Sequence, residues 1–231
     1  MKTAVVIGSS GLIGGLLVDK LAQESGFGQV IAIVRTRTAE QTRSSHPKIR
    51  WIQFDFAKWG ELEMQLRAFI GQSSAVFFCC LGTTIGKAKS EDAFRRVDHD
   101  FVVEFAALAQ KCRAESLFVV SAIGADAAST VFYNRVKGEA ERDVQKTFFG
   151  KTHFLRPSLL LGDRHEFRLG ERIAVLLSPL FSPLMTGPLE KYKPIAASDV
   201  ARAMINLALK RAGSSSIVNN DEIYKISKID R

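Results

Sequence analysis

Short apolar runs alternate with helical stripes along most of the chain. Ala4–Ile7, Val30–Val34, Arg50–Phe54, Ala75–Cys80, Leu117–Val120 and His153–Leu155 read as strands. Ala75–Cys80 is apolar without a break, as a strand covered on both faces should be. Between the runs, residues 11–23 carry Leu12, Leu16, Leu17 and Leu21 at helical spacing. Residues 61–70 do the same with Leu62, Leu66, Phe69 and Ile70, and Gly71 stops them. A long helix is expected from Ser90 or Glu91 to Lys111, with Phe94, Val97, Phe101, Phe105 and Leu108 on its inner face. Another is expected over 132–148.

Strands alternating with helices predict an α/β doubly wound parallel sheet. Right-handed crossovers leave few other arrangements. The texture changes after Pro157, because residues 157–195 hold five of the six prolines and little periodicity. Residues 1–231 are therefore expected to form one domain, with about 157–195 as a small C-terminal lobe on the substrate side. Ser198 is expected to cap a helix over 199–210, and residues 217–229 stay ambiguous between strand and helix. The uncharged stretch Ile173–Leu189 is too broken by Pro179, Pro183, Gly187 and Pro188 to cross a membrane. It is expected to be an apolar lid or wall of a substrate pocket; the alternative is a contact with a second copy or a protein partner.

Charge sharpens this picture. The formal charge is +8, and Arg35, Arg37, Arg43, Lys48 and Arg50 cluster within sixteen residues beside one acid, Glu40. A nucleic-acid surface would explain such a cluster, and so would a phosphate on a small ligand bound after a strand. The second reading is preferred, so no nucleic-acid partner is expected. Cys79, Cys80 and Cys112 cannot all pair and lack Cys-x-x-Cys spacing. They read as reduced, mostly buried thiols, and a cytoplasmic location is expected. At the N-terminus, Gly8–Gly11 interrupts the apolar run after Lys2, which favours a strand over a signal peptide. The scattered histidines give no metal-ligand cluster.

The turn Gly8-Ser9-Ser10-Gly11-Leu12-Ile13-Gly14 lies between the first strand and the first helix. Glycines there let the backbone approach a pyrophosphate, which the helix N-terminus stabilises. This is the place and purpose of the phosphate loop in a Rossmann fold. The second strand ends in Arg35, where an acid would bind the ribose hydroxyl of NAD. A guanidinium suits a 2′-phosphate instead, which points to NADP(H). Asp55 closes the third strand, where a carboxylate could accept from an adenine amino group.

Tyr133 and Lys137 share one helix face, and Ser121 lies twelve residues before Tyr133 at the end of the fifth strand. A nearby ammonium makes a phenol usable as an acid or base. Ser121 could donate to a substrate oxygen on which charge develops. Tyr224 and Lys228 repeat the spacing, but follow no strand that ends in serine, so that match reads as accidental.

These residues resemble, in order, the motifs of the short-chain dehydrogenase/reductase superfamily, in its extended or atypical branch. The runs at 80–84, 97–100, 133–139 and 156–157 are similar, more closely, to the family of the human Tat-interacting oxidoreductase-like protein. That resemblance implies Ser121, Tyr133 and Lys137 as the catalytic set. It implies Gly8, Ser10, Gly11, Ile13, Arg35, Asp55, Leu81, Gly82, Tyr133, Lys137 and Pro157 as the NADP(H) lining. The expected function is an NADP(H)-dependent oxidoreductase acting on a small, apolar carbonyl or alcohol, with sugar-nucleotide epimerisation as a variant. The alternative is an NADP(H)-binding redox sensor without robust catalysis. The chain departs from the superfamily where an asparagine would support the lysine: Asp98 or His99 stands there.

Overall fold

A computed structural model describes residues 1–36, 46–162, 192–213 and 216–229. The lid expectation for Ile173–Leu189 and most of the expected lobe fall outside the described residues, as does Arg37.

The strands are β1 (Lys2–Ile7), β2 (Phe27–Val34), β3 (Ile49–Gln53), β4 (Ala75–Cys79), β5 (Ser116–Val120), β6 (Lys151–Arg156), β7 (Leu160–Leu161), β8 (Ile195–Ala196) and β9 (Ile217–Asn219). Seven of them form one sheet in the order β3-β2-β1-β4-β5-β6-β9, every neighbouring pair parallel. β7 and β8 make a separate short parallel pair. The doubly wound expectation holds, with a seventh strand that the ambiguous C-terminal segment supplies.

The helices are α1 (Leu12–Gln23), α2 (Trp59–Ile70), α3 (Ile85–Ala88), α4 (Glu91–Arg95), α5 (Phe101–Lys111), α6 (Phe132–Thr147), α7 (Ala197–Ala208) and α8 (Asn220–Ser227). They cover both faces of the sheet. Ala4 and Val6 of β1 face a cluster built with Leu17 and Leu21 of α1 and Val200 and Met204 of α7. Val5 and Ile7 face the opposite cluster, with Leu66 of α2 and Phe105 of α5. Period-2 alternation thus has two apolar destinations, which is why the strands read as unbroken apolar runs.

Two expectations need correction. Ser198 does not cap α7: the N-cap is Ala196, with no side-chain cap, and Ser198 lies inside the first turn. The long helix after Ser90 is not continuous. Ser90 caps α4 as expected, accepting from the Ala93 amide at 3.1 Å. Residues Arg96–Asp100 then form a π turn before α5 begins. A π turn inserts one residue into the helical register. Phe94, Asp98, Val102 and Phe105 are buried there, while Val97 and Phe101 are half-buried. An aspartate thus lies in the interior.

The strand order reverses between β1 and β4, and doubly wound sheets bind ligands outside the carboxyl ends of the strands at that point.

Candidate active site

At that crevice Gly8 has φ +77, and a Cβ added there would lie 2.6 Å from the Cys80 carbonyl carbon. Only glycine lets the first turn close against the end of β4. A Cβ on Gly14 would sit 2.2 Å from the Gly8 oxygen. Gly11 is the N-cap of α1 and supplies no side-chain cap, so the first-turn amides are left for an anion. This cradle fits a dinucleotide pyrophosphate. Ser10 and Gly11 are exposed along it, while Ile13 is buried beneath.

Arg35 stands exposed just beyond the end of β2. Asp55 follows β3, and its carboxylate accepts from the Ala57 amide at 3.1 Å, so one oxygen is engaged in the local turn. Leu81 is half-buried and Gly82 exposed after β4. Pro157 is buried after β6, its carbonyl accepting from the Ile123 amide at 3.0 Å.

Lys137 is buried, and its Nζ lies 2.8 Å from Asp98 Oδ1. The other Asp98 oxygen accepts from the Thr83 amide at 2.8 Å, which ties the loop after β4 to the π turn. Burial works against the Lys137 ammonium, but the attraction of Asp98, with Tyr133 adding to it, outweighs that and raises the lysine pKa above its usual range. Of the two residues expected at the supporting place, Asp98 is the one in contact with Lys137. His99 points elsewhere, between Asp100 at 2.8 Å and Asp143 at 3.1 Å.

Tyr133 is half-buried against Phe94, ring centroids 5.6 Å apart. Ser121 is buried, and its hydroxyl donates to Glu141 Oε1 at 2.5 Å. Arg156 holds the same carboxylate through Nε at 2.9 Å and Nη2 at 2.5 Å. Asp98, Val102, Val119, Ser121, Lys137 and Glu141 surround one small cavity. The structure thus gathers Ser121, Lys137 and Gly82 near one another, with Asp98 and Glu141 beside them. Sequence reasoning missed Glu141, although its spacing of four from Lys137 was a usable sign. Gly138 permits this assembly: a Cβ there would lie 2.2 Å from the Ala127 nitrogen, so the loop after β5 presses directly on α6.

The thiols sit where the thiolate is disfavoured, Cys79 buried and Cys80 and Cys112 half-buried. Burial pushes Cys79 up to about 12 and Cys112 up to about 11, and raises Cys80 as well. The second Tyr-x-x-x-Lys match lies on α8 and its end, where Lys228 sits 4.7 Å over the exposed Tyr224 ring and 3.1 Å from Asp199.

A family profile described as NAD(P)H-binding matches residues 8–171. The chain belongs to this NAD(P)H-binding family. Rat protein HTATIP2 is 32% identical over 228 residues, covering 98% of this chain and 90% of the relative. The resemblance to the Tat-interacting family is thereby borne out. Candida albicans protein FMP52, named as mitochondrial, is 32% identical over 228 residues, with 96% of each chain covered. That relative overturns the cytoplasmic expectation: reduced, buried cysteines do not distinguish one reducing compartment from another. Among solved structures, the UDP-glucuronic acid 4-epimerase of Bacillus cereus in complex with NAD has the same fold. Its TM-score is 0.64 at 14% identity, covering 95% of this chain and 78% of that one. Among the described residues, no helix is long and apolar enough to cross a membrane.

Proposed function

We propose that the protein is an NADP(H)-dependent oxidoreductase of the short-chain dehydrogenase type, acting on a small apolar carbonyl or alcohol. The observation that carries this reading is the buried Lys137 beside Gly82 at the end of β4, on the helix face that also carries Tyr133. Gly8, Ser10, Gly11 and Ile13 would hold the pyrophosphate, Arg35 the 2′-phosphate and Asp55 the adenine. Leu81, Gly82 and Pro157 would line the path to the nicotinamide.

When bound, the cofactor would supply or accept a hydride. In the reducing direction Tyr133 would give its proton to the carbonyl oxygen. Lys137 stabilises the phenolate left behind, and Asp98 holds Lys137 in place.

The alternative, a redox sensor with weak catalysis, draws on one observation. The Lys137 ammonium and the Ser121 proton are both already engaged, by Asp98 and Glu141. Cys79 is buried and Cys80 and Cys112 are half-buried, all with raised thiol pKa, so such a sensor would read the cofactor and not a cysteine. Fluorescence titration with NADPH and NADH, followed by a panel of carbonyl substrates, separates the readings. Tight NADPH binding with turnover supports the enzyme, and tight binding without turnover supports the sensor.

A further inference from the structure

Lys137 is buried, and its ammonium carries three protons that need acceptors. Asp98 is buried too. Its Oδ1 meets Nζ at 2.8 Å as an ion pair but receives no directed hydrogen bond. Among the described residues, no other acceptor is in hydrogen-bond contact with Nζ. Both side chains line one small cavity with Ser121 and Glu141, and Val119 and Ala140 add apolar wall. The cavity measures about 10 Å³, room for the centre of one water. The proton of Ser121 goes to Glu141 at 2.5 Å, so Ser121 Oγ offers the cavity lone pairs only. The cavity thus has spare donors on Lys137 and spare acceptors on Ser121 and Asp98. A cation is repelled by the ammonium and an anion by the two carboxylates. A small neutral group that both gives and accepts hydrogen bonds satisfies the whole set.

We propose that one water molecule occupies this cavity, accepting from Lys137 Nζ and donating to Ser121 Oγ and Asp98 Oδ1, and that Ser121 is thereby a positioning residue for Lys137. Three hydrogen bonds are the usual complement of a buried water. Ser121 then acts on the lysine through the water and touches no substrate. Glu141 and Arg156 stand one step further back, since their ion pair keeps the Ser121 proton out of the cavity. Two ammonium protons are committed to the interior, and the third is left for Tyr133 or the cofactor. That last consequence rests on the oxidoreductase reading; the water does not.

Two measurements test the proposal, and neither needs turnover. A crystal structure of the natural protein, at a resolution that shows ordered water, should place one water within about 2.7–3.2 Å of both Lys137 Nζ and Ser121 Oγ. An empty cavity, or a water in contact with only one of them, overturns the proposal. The second measurement follows the Lys137 ammonium by NMR in protein labelled with ¹⁵N-lysine, the signal being the one lost in Lys137→Arg. Exchange of its protons with solvent should be about tenfold faster in Ser121→Ala, the worth of one hydrogen bond. Val218→Ala, a core change in β9 at the sheet edge, lowers the melting temperature but should leave that rate alone. An unchanged rate in Ser121→Ala, or equal acceleration in both variants, marks a merely structural serine and overturns the proposal. Ser121→Cys keeps the shape and is a poor acceptor, so it gives the same reading if Ser121→Ala does not fold. If the natural protein turns over no carbonyl, the oxidoreductase reading fails, while the water still stands or falls on these two measurements.

Discussion

Asp98 and Lys137 form a buried ion pair, 2.8 Å long, that joins the π turn to α6. The loop after β4 steadies it, its Thr83 amide holding the second carboxylate oxygen. The pair fixes the ammonium beside Gly82.

Removing one partner strands the other. Asp98→Ala should lower stability by about 3–5 kcal/mol, the usual cost of leaving a buried charge unpaired. Urea denaturation checks this. The sign with pH follows from the raised lysine pKa. The contribution of Lys137 is fully present below its unfolded value and is lost only as pH rises through the higher folded one. The natural protein should therefore hold this part of its stability at neutral pH, and Asp98→Ala should lose it there.

A second pH effect lies at the opposite end of the sheet. Burial works against the Glu115 carboxylate, but hydrogen bonds from Lys2, Ser74 and Lys210 prevail and hold it down at about 2. Because the folded value is depressed, its stabilising effect is present above the unfolded value and disappears as pH falls toward 2. Glu115→Gln should flatten the acid side of the stability profile in that window, measured as melting temperature against pH. An unchanged slope would contradict it.

Gly138→Ala should destabilise the fold by about 1–3 kcal/mol or more, as overpacking does. The added methyl would meet the backbone of Asp126 and Ala127, which cannot yield as a flexible side chain can. NADPH affinity and melting temperature should fall together.

Much of the architecture was legible in the residues. Apolar runs such as Ala75–Cys80 gave the parallel sheet, and the glycines at 8, 11 and 14 gave the crevice. The π turn was not legible, because Phe94, Val97, Phe101 and Phe105 satisfy an ordinary helical stripe as well as any pattern can. Only packing decides between Val97 and Asp98 for the interior. Glu141 escaped for a related reason: a glutamate among Glu139, Arg142 and Asp143 reads as part of a solvated face until Arg156 arrives from β6. The seventh strand, Ile217–Asn219, is three residues long and carries too little periodicity to be read.

The proposed preference for NADP(H) rests on Arg35. One charge-assisted contact should favour NADPH over NADH by about ten- to hundred-fold. Arg35→Ala should erase most of that difference in paired fluorescence titrations. Equal affinity for both cofactors in the natural protein would contradict the assignment.

The most direct test is NADPH consumption with small apolar carbonyls, compared between the natural protein and Tyr133→Phe. The proposed acid is the Tyr133 hydroxyl, so turnover should fall by about 10²- to 10⁴-fold while NADPH titration is unchanged. Tyr224→Phe, on the exposed second match, should leave the rate as it was. Equal rates for the natural protein and Tyr133→Phe, or loss of turnover in Tyr224→Phe alone, would contradict the account.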